Sequence, residues 1–369
     1  MLRMRFWKNF DLILFIVTLL LVVVGILVLY STTFKAANVA APMNVRNQIV
    51  FALIGLAGFF ITAKIDYRVW AKFTPWLYGV MIVLLGIVMV AGKTALGATR
   101  WINLGFFQFQ PSELAKLVLI IVLAKFFADH YEQMDNPRYL ILSVVYTAVP
   151  MVMVLVQPDL GTALVLAVIW LAMVLTSRVR RAHLVALAAL GLVLLPVALQ
   201  FLKPYQRQRL ATFFNPTADP LGTGYNVVQS TIAVGSGQLT GRGLASGSQS
   251  QLNFLPSQHT DFIFAVLSEK LGFVGGGLLL LLFSALIMRG LVVAYRAKDR
   301  FGMFLATGLM AMFLFHIFVN VGMNMGIMPV TGIPLPFVSY GGTSLLIGLI
   351  GIGLLESIAV RRKKIEFGT

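Results

Sequence analysis

The sequence predicts an all-α integral membrane protein: ten transmembrane helices, both termini cytoplasmic, and a large outer loop between helices 7 and 8. Three observations carry this expectation. Of 369 residues, 59% are hydrophobic and 11% charged, against about 45–50% and about 25% in soluble domains. A mean hydropathy of +0.89 excludes a soluble enzyme, a disordered chain and a fibrous one. Apolar runs of membrane-spanning length recur along the chain, and the basic residues gather on alternate connections between them. The absence of cysteine excludes disulfides, thiolate zinc sites and a cysteine nucleophile.

A span needs about 20 predominantly apolar residues. Leu12–Tyr30 is the first; it is too long for a cleaved signal peptide, and no small-residue cleavage site follows it. Asn47–Ala63 and Thr74–Gly92 come next. The fourth, around Leu117–Ala124, reaches span length only with Glu113 and Lys116 inside the helix. Tyr139–Val156 and Leu160–Ser177 are separated by a tight turn, and Ala182–Leu202 is the seventh. The last three are Leu271–Met288, Phe301–Asn324 and Gly341–Val360. Residues 3–8, 64–72, 125–138, 178–181, 289–300 and 361–364 hold well over half of the 29 lysines and arginines. Basic residues mark the cytoplasmic side, which accounts for most of the +16 charge without nucleic acid.

Two outer connections stand apart. Residues 203–260 are rich in Gly, Ser, Gln and Asn, and loops beyond about 15 residues are usually functional or disordered. Tyr225, Val227, Val228, Ile232 and Val234 place a short interfacial helix within it. Residues 325–340 carry no charge and contain Pro329, Pro334 and Pro336. Bare backbone cannot face lipid, so this segment reads as a re-entrant loop packed on protein. No internal repeat supports an inverted-repeat transporter; the chain is one polytopic membrane domain.

Ionisable groups at membrane depth are costly and mark candidate sites. Most of the 13 acidic residues fall in inner loops or at inner helix ends; Glu113, Asp159, Asp219, Asp261 and Glu269 lie on or near the outer half. Glu113 and Lys116, three apart, share a helix face behind the start signal Pro111-Ser112; a structural ion pair explains them equally well. Asp159 sits in the turn Gln157-Pro158-Asp159-Leu160-Gly161, where helix capping is sufficient reason for an Asp. Asp261 opens a run to Met288, about 42 Å as one helix, so its first turns project above the bilayer core. Capping, which Thr260 could also provide, is its alternative role. Glu269 and Lys270 are adjacent, face different ways and lie about 13 Å deeper; each requires its own partner and reads as structural.

Several motifs are excluded. The glycines around 235–243 lack a following Lys-Ser/Thr pair and a preceding strand, which removes a phosphate-binding P-loop. The four histidines are scattered, with no helical zinc pair, and no G-x-S-x-G elbow occurs. What remains is a carboxylate-bearing outer cavity with cations nearby: Lys203, Arg207, Arg209, Arg242 and Lys116. That combination suits a group-transfer enzyme with a lipid-pyrophosphate substrate, since cations hold a departing pyrophosphate and a carboxylate activates the attacking hydroxyl. One dominant acid suits an inverting displacement better than the paired carboxylates of a retaining mechanism.

The chain resembles the SEDS (shape, elongation, division and sporulation) family. The matching segments are Arg100-Trp101-Ile102, residues 109–116 (FQPSELAK), residues 157–162 (QPDLGT), residues 205–209 (YQRQR), residues 220–225 (PLGTGY), Gln229-Ser230, residues 233–237 (AVGSG), residues 253–256 (NFLP), residues 259–265 (HTDFIFA) and residues 334–342 (PLPFVSYGG). The YQRQR run and the proline-rich form of the last segment resemble the elongation branch more than the division branch. The resemblance implies ten helices and transfer of glycan from one lipid II to another. It also implies Asp261 as the catalytic carboxylate, Glu113 and Lys116 as a required pair, and Asp159 as an outer-cavity acid. Arg207, Arg209, Arg242, His259, Thr260 and Ser339 are the further substrate-binding or supporting candidates. A divalent cation, Mg or Mn, is compatible with the resemblance, and a class B penicillin-binding protein is implied as the cross-linking partner. The family usually has Glu after the proline at 256, where this chain has Ser257, so any role of that glutamate is absent here. A lipid II flippase and a scaffold for the transpeptidase are the competing functions.

Overall fold

The computed structural model describes residue 7 and residues 9–32, 40–95, 98–103, 108–200, 204–215, 223–252 and 254–362. Lys203 and Asp219, the 220–222 part of one matching segment and Asn253 lie outside the described residues, as do the basic residues at 3, 5, 8, 363 and 364.

The first long helix, α1, spans Leu12–Ser31 and starts at Asp11, whose carboxylate accepts from Leu14 N. It is followed by α2 (Ala40–Lys64), the short α3 (Tyr67–Lys72) and α4 (Thr74–Ala91). Then comes a small antiparallel sheet in the order β1 (Lys93–Ala95), β2 (Ala98–Asn103), β3 (Gln108–Phe109). Lys93 pairs with Trp101, and Ile102 with Phe109. The all-α expectation is corrected here: Thr99, Trp101 and Ile102 are residue types that pack well on a pleated surface, and apolar runs alone do not register so short a sheet.

The remaining helices are α5 (Pro111–Asp129), α6 (Pro137–Val156), α7 (Leu160–Thr176), α8 (Arg181–Gln200), α9 (Pro204–Phe214), α10 (Thr223–Ser236), α11 (Ser248–Gln251), α12 (Ile263–Tyr295), α13 (Arg300–Asn324) and α14 (Gly342–Val360). Among the described residues, six helices are long and apolar enough to cross a membrane: α1, α2 from Met43, α6, α12, α13 and α14. Residues 74–90, 160–176 and 181–193 are shorter apolar helices. Glu113 and Lys116 lie inside α5, as a span there required.

α5 forms the core of the bundle. Almost every residue from Ala115 to Phe127 is buried, because α13, α4 and α7 pack around it. A helix buried on all sides has no amphipathic face to show, which is why its sequence is apolar all round. α14 packs along α2, and α12 along α13 and α1.

The ends of these helices define two faces. On one lie the starts of α1, α6 and α13 and the end of α5. It is rich in ion pairs: Arg289 and Arg362 on Asp11, Arg68 on Asp299, and Arg178 and Arg300 on Glu132. Glu356 joins this cluster by accepting from Asp11 N at 2.7 Å. Of the acids read from sequence as inner-end groups, Asp11, Asp66, Glu132, Asp135 and Asp299 pair with arginines and Asp129 with Lys125, while Glu366 lies outside the described residues. The opposite face carries the ends of α1 and α13, the sheet, and α9–α11; it is called the loop face below.

The expectation of one helix running from Asp261 to Met288 is also corrected. α12 is broken at Gly272, which has φ 65° and ψ −161°, backbone that favours glycine. The break leaves unpaired backbone groups on both sides, and the loop after α10 satisfies them. Arg242 N and Gly243 N donate to Glu269 O and Lys270 O, while Phe273 N and Val274 N donate to Gln238 O and Leu239 O. Lys270 Nζ reaches Ser31 O, at the end of α1, and Leu244 O. Lys270 therefore lies level with the loop face instead of about 13 Å beneath it. Glu269 accepts from Gln249 N and Ser250 N at 2.8 and 3.0 Å. Each of the two adjacent charges has its own partners, as their opposed directions required, and both serve to fasten the loop.

Candidate active site

On the loop face a cavity is lined by Arg100, Trp101, Gln110, Glu113, Lys116, Asp159, Thr162, His316 and residues 332–334. Four separate elements converge here: β2, the starts of α5 and α7, and α13 with the loop that follows it.

Glu113 is held in the first turn of α5 behind Pro111. Lys116 Nζ donates to Glu113 Oε1 at 2.8 Å, with the two side chains only 2% and 6% exposed. The same ammonium lies 3.2 Å from His316 Nε2. Because an ammonium can only donate, His316 accepts at Nε2 and its Nδ1–H donates to Pro334 O, 3.3 Å away. The pair is thus wired through His316 to the 325–341 loop. Sequence reasoning missed His316, since a lone histidine in an apolar helix carries no motif.

Asp159 caps α7, accepting from Thr162 N at 3.2 Å and Thr162 Oγ1 at 2.9 Å. Capping is therefore realised, and yet the same carboxylate also lies 3.9 Å from Arg100 Nη1. Arg100 in turn donates to Pro158 O and Gln157 O, clamping β2 onto the α6–α7 turn. Arg100 was named from sequence only within a matching segment; the fold makes it, with Lys116, a cation of the cavity wall.

Asp261 lies in the turn before α12. The N-cap of that helix is Phe262, with no side-chain cap hydrogen bond, so the capping role proposed for Asp261 or Thr260 is not taken up. A Cβ built on Gly332 would stand 3.9 Å from Asp261 Oδ2, which places the carboxylate against the 332–334 segment that lines the cavity. Burial raises its pKa above the ordinary carboxylate range, while Arg209, Arg100 and the Thr260 hydroxyl act to lower it. Burial alone moves His259 the other way, below its usual value, and its Nδ1 lies 3.2 Å from Thr32 Oγ1.

Ser339 and Thr260 knit two loops together. Ser339 Oγ donates to Thr260 O at 2.6 Å and accepts from Leu335 N at 2.8 Å, and Tyr340 N donates to His259 O. Ile333, Leu335, Phe337 and Val338 of the second loop are all buried. Ser257, where the family pattern has Glu, adopts φ 53° and closes a turn by accepting from Thr260 N and Phe262 N. Two candidate cations are elsewhere. Arg207 donates to Gln200 O at the end of α8, and Arg242 Nε donates to Ser236 O beside the α12 break; neither lines the cavity.

A polytopic helical bundle with a charged cavity at one end, lined by the carboxylates of Glu113 and Asp159 and the cations of Arg100 and Lys116, defines a membrane protein built to handle an anionic, lipid-linked group. The chain belongs to the FtsW/RodA/SpoVE family of cell-cycle proteins, whose profile matches residues 11–364. It is 40% identical over 352 residues to the peptidoglycan glycosyltransferase MrdB of Escherichia coli K12, covering 95% of this chain and 94% of that one. Its fold is similar to a chain of a peptidoglycan synthase complex solved for its coordination of polymerisation and crosslinking, with TM-score 0.80, 33% identity and 95% and 97% of the two chains covered. The rod shape determining protein RodA of Thermus thermophilus is similar at TM-score 0.71 and 30% identity, over 97% and 99% of the two chains.

Proposed function

We propose that the chain is a peptidoglycan glycosyltransferase of the bacterial inner membrane that polymerises lipid II into glycan strands during cell elongation. The observation that carries this reading is Asp261: a half-buried carboxylate freed from capping, set against the wall of a cavity that holds Arg100 and Lys116. In the reaction, the acceptor sugar's 4-hydroxyl oxygen bonds the anomeric carbon of the donor, and its proton passes to the Asp261 carboxylate. The bond from that carbon to the pyrophosphate breaks with inversion, and the electron pair leaves with undecaprenyl pyrophosphate. Arg100, Lys116 and Arg209 are the cations suited to hold the departing charge. Glu113 holds the Lys116 ammonium in place at 2.8 Å, and Asp159 stands beside Arg100 at 3.9 Å.

The topology that accompanies this reading has ten spans: α1, α2, α4–α8 and α12–α14. Both termini are cytoplasmic, and the loop face with residues 203–260 is outside, in agreement with the arginine-rich opposite face. The Mg or Mn ion compatible with the family finds no cage, because no three ligating side chains converge among the described residues; the steps above use none. A class B penicillin-binding protein is the proposed partner. The relative solved within a synthase complex supports an assembly of this kind, and nothing in the site described could cross-link peptides.

The test is polymerisation of lipid II in detergent by the purified chain, together with a class B penicillin-binding protein that lacks a glycosyltransferase domain. Glycan polymer that disappears with Asp261→Asn is the expected result. Lipid II crossing vesicle membranes without polymer would make the chain a flippase. Neither activity, with the partner still bound, would make it a scaffold.

A further inference from the structure

The inner surface of α13 carries a polar ladder in an otherwise apolar helix: His316, Asn320 and Asn324, each one helical turn apart and all buried. Residues four apart stack on one face, so the three rungs face the same neighbours. Asn320 Nδ2 donates to Ile333 O at 2.8 Å and to Asp261 O at 3.1 Å. Asn324 Nδ2 donates to Asp261 O at 3.0 Å, and its Oδ1 accepts from Ala265 N, also at 3.0 Å. Ser230 Oγ on α10 donates to Asn324 O at 2.9 Å and so fixes that end of the helix.

Ala265 is the third residue of α12, and its N–H is one of the orphan donors that an N-cap side chain normally satisfies. In this fold the cap comes from another helix. We propose that Asn324 and Asn320 are positioning residues for Asp261. Asn324 caps α12 in trans, both amides grip the Asp261 carbonyl, and the carboxylate is thereby released from the local role that its place at a helix start would otherwise give it. The carbonyl shared by two amides fixes the Asp261 peptide relative to Ile333, and hence relative to the cavity wall. Misplacement by about 1 Å at a reacting centre can lower a rate about 100-fold. Without Asn324 the Asp261 carboxylate, one residue before the N-cap Phe262, is free to turn back onto the orphan N–H groups, trading chemistry for capping. The charged groups that face Asp261 are Arg209 from α9 and Arg100 from β2; neither is moved by these substitutions.

This inference rests on the reading of Asp261 as the catalytic base. It is tested with full-length Asn324→Ala, Asn324→Ser and Asn320→Leu, each with its penicillin-binding partner and lipid II. Turnover and KM are measured across pH beside Asp261→Asn, and thermal melts confirm folding. Asn324→Ala is expected to lose at least about tenfold in kcat with KM within about threefold. Its acid limb should shift to lower pH, because a carboxylate that accepts helix N–H groups is held ionised. Asn324→Ser, which retains an acceptor oxygen, is expected to recover part of the loss. Asn320→Leu should lower kcat without moving the acid limb. Should Asn324→Ala fail to fold, Asn324→Ser and Asn320→Leu carry the same comparison. Turnover within twofold of wild type in the folded variants, or an Asn324 loss with an unmoved acid limb, overturns the inference. An active Asp261→Asn would instead overturn the reading beneath it.

Discussion

Replacing Lys116 by Met keeps the length of the side chain and removes its charge from the most enclosed ion pair on the loop face. The ammonium satisfies two buried acceptors, Glu113 Oε1 at 2.8 Å and His316 Nε2 at 3.2 Å. Removing one member of a buried pair leaves an uncompensated charge and costs about 3–5 kcal/mol. Relieving that charge with the double substitution Glu113→Gln and Lys116→Met should return most of the stability, since apolar or neutral replacements of buried pairs are often neutral. Activity should not return, because Lys116, one of the two cations at the cavity wall, is still missing. The assay is a thermal melt in detergent beside lipid II turnover for the two single variants and the double. Lys116→Met is expected to melt several degrees lower with turnover below 1% of wild type, and the double variant to melt near wild type while remaining inactive. A Lys116→Met protein with unchanged melting would refute the buried pair; a double variant that turns over lipid II would refute a role for Lys116 in the reaction.

Three further outcomes follow from the same geometry. Arg209 lowers the Asp261 pKa, which burial raises. A base works only above its pKa, so activity falls as pH drops through that value, and Arg209→Ala should move the acid limb to higher pH; a limb unchanged or moved downward contradicts the assignment. Gly332 has φ 77° and faces Asp261, so Gly332→Ala should lose about 1–2 kcal/mol to backbone strain and slow turnover. Gly79→Ala, a change in open space, is the matched control and should do neither. Glu269→Gln weakens the anchor on Gln249 N and Ser250 N, worth about 1.5–3 kcal/mol for a charged acceptor. Limited proteolysis within residues 237–251 should then quicken about 10–100-fold, and an unchanged rate would mean the loop is held elsewhere.

Much of this architecture was legible in the sequence, because hydropathy reports what lipid demands. Each apolar run named beforehand overlaps a helix, to within a residue at ends that are described, including the one that had to swallow Glu113 and Lys116; residues 201 and 202 of the seventh run lie outside the described residues. The pair itself was readable from its three-residue spacing. The break at Gly272 was not, because the apolar run passes through it unaltered and only the backbone angles change. Arg100 was visible as a residue but not as a partner of Asp159, which the sequence places 59 positions away and the fold brings to 3.9 Å. The role of Asp261 turned on where the cap of α12 comes from, and a cap supplied by Asn324 has no local signature. The spacing of His316, Asn320 and Asn324 was there to be read, as a polar period of four inside a helix that needed none.

The helix that begins at Asp159 has a consequence for the surrounding lipid. α7 has 17 residues, about 25 Å long, some 5 Å less than an average hydrocarbon core. A bilayer meets a short span by drawing its headgroups inward beside it. On the loop face such a dimple would lie at the cavity, where Asp159 and Arg100 stand. A polyprenyl substrate can then present its pyrophosphate at the depth of the cations while its tail stays in hydrocarbon, so membrane thickness becomes one of the dimensions of the site. Thicker bilayers should weaken the reach of the substrate, without any change in the protein.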